Sequence, residues 1–204
     1  MARKTKEDSQ LTRDLILNAA ELIIYKKGMS YTTMADIADE AKMSRGAIYG
    51  HYKNKVEVAI SMVIHAFESI EILKMEDGQT YLDYLYHQGI LELHQAIEPS
   101  HIQRVFCILY ALHDEDVELL SLRQDWENSR FIRIENCLLE AVAHNELPEN
   151  LDSKLATLYL QTLLDGIFST IYWNGNCPEN KWELAEELYQ IGFESMKTSK
   201  KFYP

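Results

Sequence analysis

Apolar residues along this chain recur at helical rather than strand spacing in almost every segment. Leu11, Leu15, Leu22 and Ile23, with Ile16, Ala19 and Ala20, predict a first helix from about Asp8 to Lys27 with one broad apolar face. Lys26 and Lys27 suit the negative end of that helix, and Gly28 stops it. Met34, Ile37, Ala38 and Ala41 then fall at i, i+3, i+4 and i+7, which predicts a short second helix. Thr33 and Asp36 ahead of it are spaced as a capping box. Lys42 and Met43 form a turn, and Ser44 caps another short helix through about His51. Asn54 and Glu57 repeat the capping pattern before a longer helix that runs from Lys55 toward Lys74.

Further helices are expected at about Gln79 to Ile97, His101 to Leu112, Val117 to Asn145, Asp152 to Trp173 and Lys181 to Lys197. The breaks "MEDG", "EPS", "HDED", "NELPEN" and "NGNCPEN" are rich in turn residues, and "KTSKKFYP" reads as a frayed tail. The chain is therefore expected to be all-α. Residues 1–54 form a three-helix domain with a helix-turn-helix, and residues 55–204 form a larger helical domain.

Composition agrees, with 47 % apolar residues among 204 and only four prolines. Charge divides the chain more sharply. Met1 to Ile60 carries ten Lys/Arg against eight Asp/Glu, a net of +2, while the remainder carries ten against 24, a net of -14. The overall net charge of -12 thus permits contact with a polyanion, provided the contact is local to the N-terminal part. Cys107, Cys137 and Cys177 are widely spaced with no CxxC pair, which points to reduced thiols and a cytoplasmic location. The N-terminus lacks a signal-peptide pattern. The stretch Leu155 to Trp173 contains Asp165, Gln161 and several Ser and Thr, a buried helix rather than a membrane span.

The chemistry gathers at the second short helix. Thr33 and Ser44 stand at helix starts, where backbone N–H groups can hold a phosphate. Arg45 can reach a guanine edge or a phosphate, and Tyr49 and His51 offer polar contacts. Lys55 is placed to clamp a phosphate, and Gly46 allows close approach to the sugar-phosphate wall. Ile48 and Tyr52 face the core, and Arg3, Lys4 and Lys6 form an arm near the DNA.

The stretch "TTMADIADEAKMSRGAIYGHYKNK" resembles the DNA-binding signature of the TetR family of bacterial transcriptional regulators. "MARKTK" and "SRGAIYGHYKNK" are most similar to the branch that represses multidrug efflux pumps. The resemblance assigns DNA contact to the same positions and departs from the pattern in two places. Lys42 stands where the family commonly has glycine, and Gly50 where it often has a larger residue that touches the DNA backbone.

For the larger domain the resemblance implies a ligand cavity and dimerisation. Phe67, Phe106, Tyr110, Trp126, Phe131, Phe168 and Trp173 lie on helices that the family arranges around the cavity, and Glu68 or Asp165 could face a cationic ligand. The helix from Leu155 to Trp173 is apolar nearly all round. Ala185, Leu188, Tyr189, Gly192 and Met196 stripe the last helix, so these two are expected to build a homodimer. No Gly-rich phosphate loop, HExxH or Cys/His cluster suggests a cofactor, a metal or catalysis. The expected partners are double-stranded operator DNA and a small apolar, aromatic or cationic inducer. The expected function is repression of a multidrug efflux operon. Two other readings stand beside it: a regulator or activator of metabolic genes with the same fold, and a helical enzyme or protein-binding module with a vestigial DNA-binding domain.

Overall fold

A computed structural model describes residues 6–112, 116–173 and 179–204. Among these residues the regular structure is helical throughout. It comprises α1 (Lys6–Lys27), α2 (Met34–Glu40), α3 (Arg45–Tyr49), α4 (Lys55–Glu68), α5 (Tyr81–Ile97), α6 (His101–Tyr110), α7 (Val117–Ala143), α8 (Ser153–Trp173), α9 (Lys181–Thr198) and a 3₁₀ turn at Lys200–Phe202. Two compact units result, Met1–Ile70 with Pro99–Gln124, and Glu71–Glu98 with Asp125–Pro204. The division expected at residue 54 is one of roles rather than of packing. Packing divides the chain elsewhere, because α4 and α6 both lie against α1.

The first unit is organised around α1. Ile16, Ala20 and Ile24 meet Ile37 of α2, Ile48 of α3, Val58 and Met62 of α4, and Leu109 of α6. The expected apolar face of α1 needs correction, since Leu11 is 63 % and Leu15 54 % exposed. At 3.6 residues per turn, Leu11 points roughly 150° and Leu15 roughly 110° away from the centre of the face formed by Ile16, Ala20 and Ile23. Glu21 is buried on α1 and accepts from Arg104 Nε of α6 at 2.5 Å, an ion pair that joins the two helices.

Between α2 and α3 the chain reverses through Lys42, whose φ is 54°. Met43 N–H donates to Ala38 O at 2.9 Å and Lys42 N–H to Asp39 O at 3.1 Å, the paired bonds of a Schellman turn. Lys42 thus occupies the left-handed position usually given to glycine, at a cost of about 1 kcal/mol. Met43, the next residue, packs on the core as that turn favours.

Two helices end earlier than their periodicity suggests. α3 stops at Tyr49 with Gly50 as its C-cap, so Gly50 is not a mid-helix glycine. Its φ of -71° is right-handed, and the conformation itself does not demand glycine. α4 stops at Glu68 rather than continuing toward Lys74. The backbone beyond it finds side-chain partners on α5 instead. Gln95 Oε1 accepts from Glu71 N–H and Gln88 Oε1 from Leu73 N–H, each at 2.8 Å.

In the second unit α5, α8 and α9 pack on one another, and the core runs through Leu93, Leu138, Leu160, Tyr189 and Met196. Glycine at 89 is a packing requirement, because a Cβ there would overlap the hydroxyl and ring of Tyr189. α7 ends in a second left-handed residue, Asn145, with φ 61°. The carboxylate of the following Glu146 accepts from Tyr81 N–H at 2.9 Å and Leu82 N–H at 2.8 Å, capping the start of α5. The C-terminus is not frayed. Phe202 is buried, its carbonyl accepts from Asp152 N–H at 2.8 Å, and Asn150 Nδ2 donates to Pro204 O at 3.0 Å. Among the described residues no helix is long and apolar enough to cross a membrane.

Candidate nucleic-acid interface

Capping fixes where the exposed side chains of α2 and α3 point. Thr33 Oγ1 accepts from Asp36 N–H at 3.2 Å, and Asp36 Oδ2 accepts from Thr33 N–H at 2.9 Å, closing the capping box. Asp36 also takes Lys27 Nζ at 2.5 Å. The Lys27 ammonium, helped by the Thr33 hydroxyl and amide, holds the Asp36 carboxyl down to about 2. The Asp36 charge is therefore tied to a neighbouring cation. Ser44 Oγ accepts from Ala47 N–H at 3.2 Å and starts α3.

From that start, Arg45 and Tyr49 project one turn apart on the same side, both exposed, with Tyr49 at 56 %. Ile48 and Tyr52 turn inward, as expected from their spacing, and burial pushes the Tyr52 phenol up. The result is a short helix held from behind by its core side and presenting a cation and a phenol in front.

A shallow groove gathers Thr33, Arg45, Tyr49 and Lys55. It also includes Ser30 and Lys53, which sequence spacing did not single out because both lie outside the helices. Lys53 is exposed two residues before α4 and adds a cation to the groove. A basic residue in the loop after the second short helix was the signal for it. Ser44, Gly46, Gly50 and His51 do not line this groove. Ser44, Gly46 and Gly50 are exposed nearby on α3 or its caps, and His51 is half-buried. A Cβ at Gly46 would meet only Ser44 Oγ, at 3.9 Å, whereas one at Gly50 would press on Ala47 O at 3.3 Å.

Lys55 is placed differently from the free phosphate clamp expected of it. Its ammonium donates to Met29 O at 2.7 Å, Thr32 O at 3.0 Å and Ser30 O at 3.3 Å. Three N–H groups meet three carbonyls, so the lysine straps the α1–α2 connection to the start of α4. The side chains of Arg3, Lys4 and Lys6 lie outside the described residues, as do the Trp173 side chain, Cys177 and most of "HDED".

The residues expected around a ligand fall into both units. In the first, the rings of Phe67 and Phe106 lie 6.3 Å apart, and Arg123 sits 5.6 Å over the ring of Tyr110. Glu68 is exposed at the last position of α4. In the second, Phe168 stacks on Tyr172 at 5.7 Å, and Phe131 is half-buried. Asp165 does not await a cationic ligand, because Arg130 Nη2 donates to it at 2.6 Å. Arg130 in turn lies 4.8 Å over the ring of Trp126, so cation, carboxylate and indole form one cluster.

Comparison with known proteins matches this arrangement. The family described as "Bacterial regulatory proteins, tetR family" matches residues 16–62, which span the C-terminal half of α1, all of α2 and α3, and the first half of α4. The HTH-type transcriptional regulator TtgR of Pseudomonas putida is 31 % identical over 174 residues, covering 82 % of this chain and 83 % of the relative. The crystal structure of MexZ, a repressor responsible for antibiotic resistance in Pseudomonas aeruginosa, superposes with a TM-score of 0.87 at 40 % identity. The alignment covers 96 % of this chain and 99 % of MexZ. A complex of SmeT with triclosan shares the fold, with a TM-score of 0.68 at 21 % identity over 89 % of this chain and 90 % of SmeT. The capped α2–α3 pair, the family match across it and the full-length likeness to such regulators agree: the chain belongs to the TetR family of bacterial transcriptional regulators, and is not an enzyme.

Proposed function

We propose that this protein is a cytoplasmic repressor of a multidrug efflux operon, released from its operator by a small apolar, aromatic or cationic inducer. The observation that carries the reading is the pair Arg45 and Tyr49, exposed together on a capped helix within the family-matching segment. The 40 % identity with MexZ over nearly the whole chain supports repression, and the shared fold with SmeT, a repressor of a multidrug efflux pump, favours the efflux branch. The triclosan complex of SmeT supports a small-molecule signal.

A homodimer serves a near-palindromic operator, each copy offering α3 to one half-site, the two major grooves lying about 34–36 Å apart. Leu155 and Leu158 on α8 and Ile191 on α9 are 42 %, 53 % and 62 % exposed, apolar surface of the kind a twofold partner covers. The inducer acts by binding the released form more tightly than the DNA-bound form. Phe67, Phe106, Tyr110, Trp126, Phe131 and Phe168 remain the aromatic candidates for its binding.

The test is a fluorescence-anisotropy titration of the protein on labelled DNA from upstream of its own gene, against scrambled DNA of equal length. Specific binding that weakens steeply with salt is expected. Equal affinity for both DNAs at low salt would sink the repressor reading.

A further inference from the structure

A small, mostly apolar cavity lies inside the second unit, and Gln88 and Glu92 of α5 and Arg133 of α7 are the charged and amide side chains on its border. Gln88 and Glu92 are four residues apart and share one face of their helix. The Glu92 side chain is 9 % exposed. Its Oε1 accepts from Arg133 Nη2 at 3.0 Å and from Gln88 Nε2 at 3.3 Å. Its Oε2 is buried and accepts no hydrogen bond. A carboxylate has only acceptors to offer, so an unmet buried oxygen is a demand for a donor and for nothing else.

The space beside it is about 10 Å³, close to what a single water needs. Leu85, Ile134 and Leu164 supply the apolar part of its wall. Gln88 is committed at both ends, since its Oε1 holds Leu73 N–H while its Nε2 holds Glu92. One amide thus links Glu92 to the segment that joins α4 to α5.

We propose that this cavity is a binding subsite for the hydroxyl of a neutral alcohol or phenol, with Glu92 Oε2 as its acceptor. The charges select this class. Glu92 and Arg133 already sum to zero, so a neutral O–H satisfies the oxygen without adding a charge. An ammonium would set a second cation beside Arg133, and an acid would set a second carboxylate beside Glu92. A hydroxyl also takes the place suited to one water while keeping the hydrogen bond to Glu92. The hydrocarbon body of the ligand lies along Leu85, Ile134 and Leu164, which give way to admit it. This subsite rests on the ligand-responsive reading above and names the chemistry that the signal molecule carries.

The experiment is calorimetric titration of the full-length protein with phenol, toluene and protonated benzylamine, repeated on Glu92→Leu after its helicity has been checked. Wild type is expected to bind phenol at least about tenfold more tightly than toluene, although toluene leaves water more readily, with benzylamine weaker than phenol. In Glu92→Leu the preference for phenol over toluene is expected to fall to within about twofold. No measurable binding of phenol, equal or tighter binding of toluene or benzylamine by wild type, or a preference unchanged in Glu92→Leu overturns the proposal. The wild-type comparison stands even if the variant fails to fold. Operator binding by the unliganded protein is measured separately: its loss defeats the repressor reading alone, and its persistence without a phenol preference defeats this subsite alone.

Discussion

The ammonium of Lys55 donates to the carbonyl of Met29 at 2.7 Å, across 26 positions of sequence. Together with the bonds to Ser30 and Thr32, it fastens the C-terminal side of α1 to the first turn of α4. Lys55→Met should therefore lower stability by roughly 1.5–3 kcal/mol, the usual range for hydrogen bonds to a charged group. Urea denaturation checks this. An unchanged midpoint with weakened operator binding would show that the lysine serves DNA rather than the fold.

Tyr49→Ala should do the opposite. The side chain is 56 % exposed and stands on the outer side of α3, about 100° round the helix from the buried Ile48. Operator affinity is expected to fall about tenfold, or about 1.4 kcal/mol, while the melting temperature stays within about a degree. Anisotropy and differential scanning calorimetry on the same preparation separate the two effects.

Replacing Asp165 with Asn should destabilise the second unit by roughly 3 kcal/mol, because the Arg130 side chain is only 5 % exposed and loses its carboxylate. Asp165 itself is 32 % exposed, which places the cost at the lower end of the range for buried pairs. Unfolding followed by Trp126 fluorescence reports on the same cluster. No loss of stability would return Asp165 to the list of ligand contacts.

Gly89→Ala is expected to cost about 1–3 kcal/mol by overpacking, since Tyr189 fills the place of the added methyl and is itself 1 % exposed. The companion Tyr189→Phe in the Gly89→Ala background should recover part of that loss by removing the hydroxyl that collides. Chemical denaturation of the two variants and the double variant is the measurement.

Acid should loosen the entry to α2. The folded Asp36 carboxyl titrates at about 2, below its ordinary value of 3.8. A depressed carboxylate contributes stability that is fully present above the ordinary value and is lost as pH falls toward about 2. Asp36→Asn should consequently melt below wild type at pH 7, with the gap shrinking between pH 4 and pH 2. A gap that is constant over that interval would exclude the carboxylate as its source.

The helices and the DNA-binding signature were legible in the sequence because both are local. Caps such as Thr33 with Asp36, and Ser44 with Ala47, span three residues, and their geometry follows from residue type. The left-handed turn was legible too, since a glycine position filled by Lys42 states the conformation that residue must take. Partners distant in sequence were not legible. Nothing in spacing reveals that Arg130 meets Asp165 35 residues on, or that Lys55 reaches back to the end of α1. Leu11 and Leu15 misled for a related reason: an apolar residue advertises a surface to cover but not which helix covers it. Glu92 drew no notice because a lone glutamate on a helix is usually solvated, and its burial depends on Arg133 41 positions away.

The carboxylate of Glu146 closes the first turn of α5 from 65 and 64 residues further along the chain. During synthesis Thr80 can cap the Asp83 amide locally. The Tyr81 and Leu82 amides leave the ribosome bonded to water and gain their protein partner only when the end of α7 has emerged. The order of emergence makes the second unit assemble late and together, with α5 as its earliest and least finished piece.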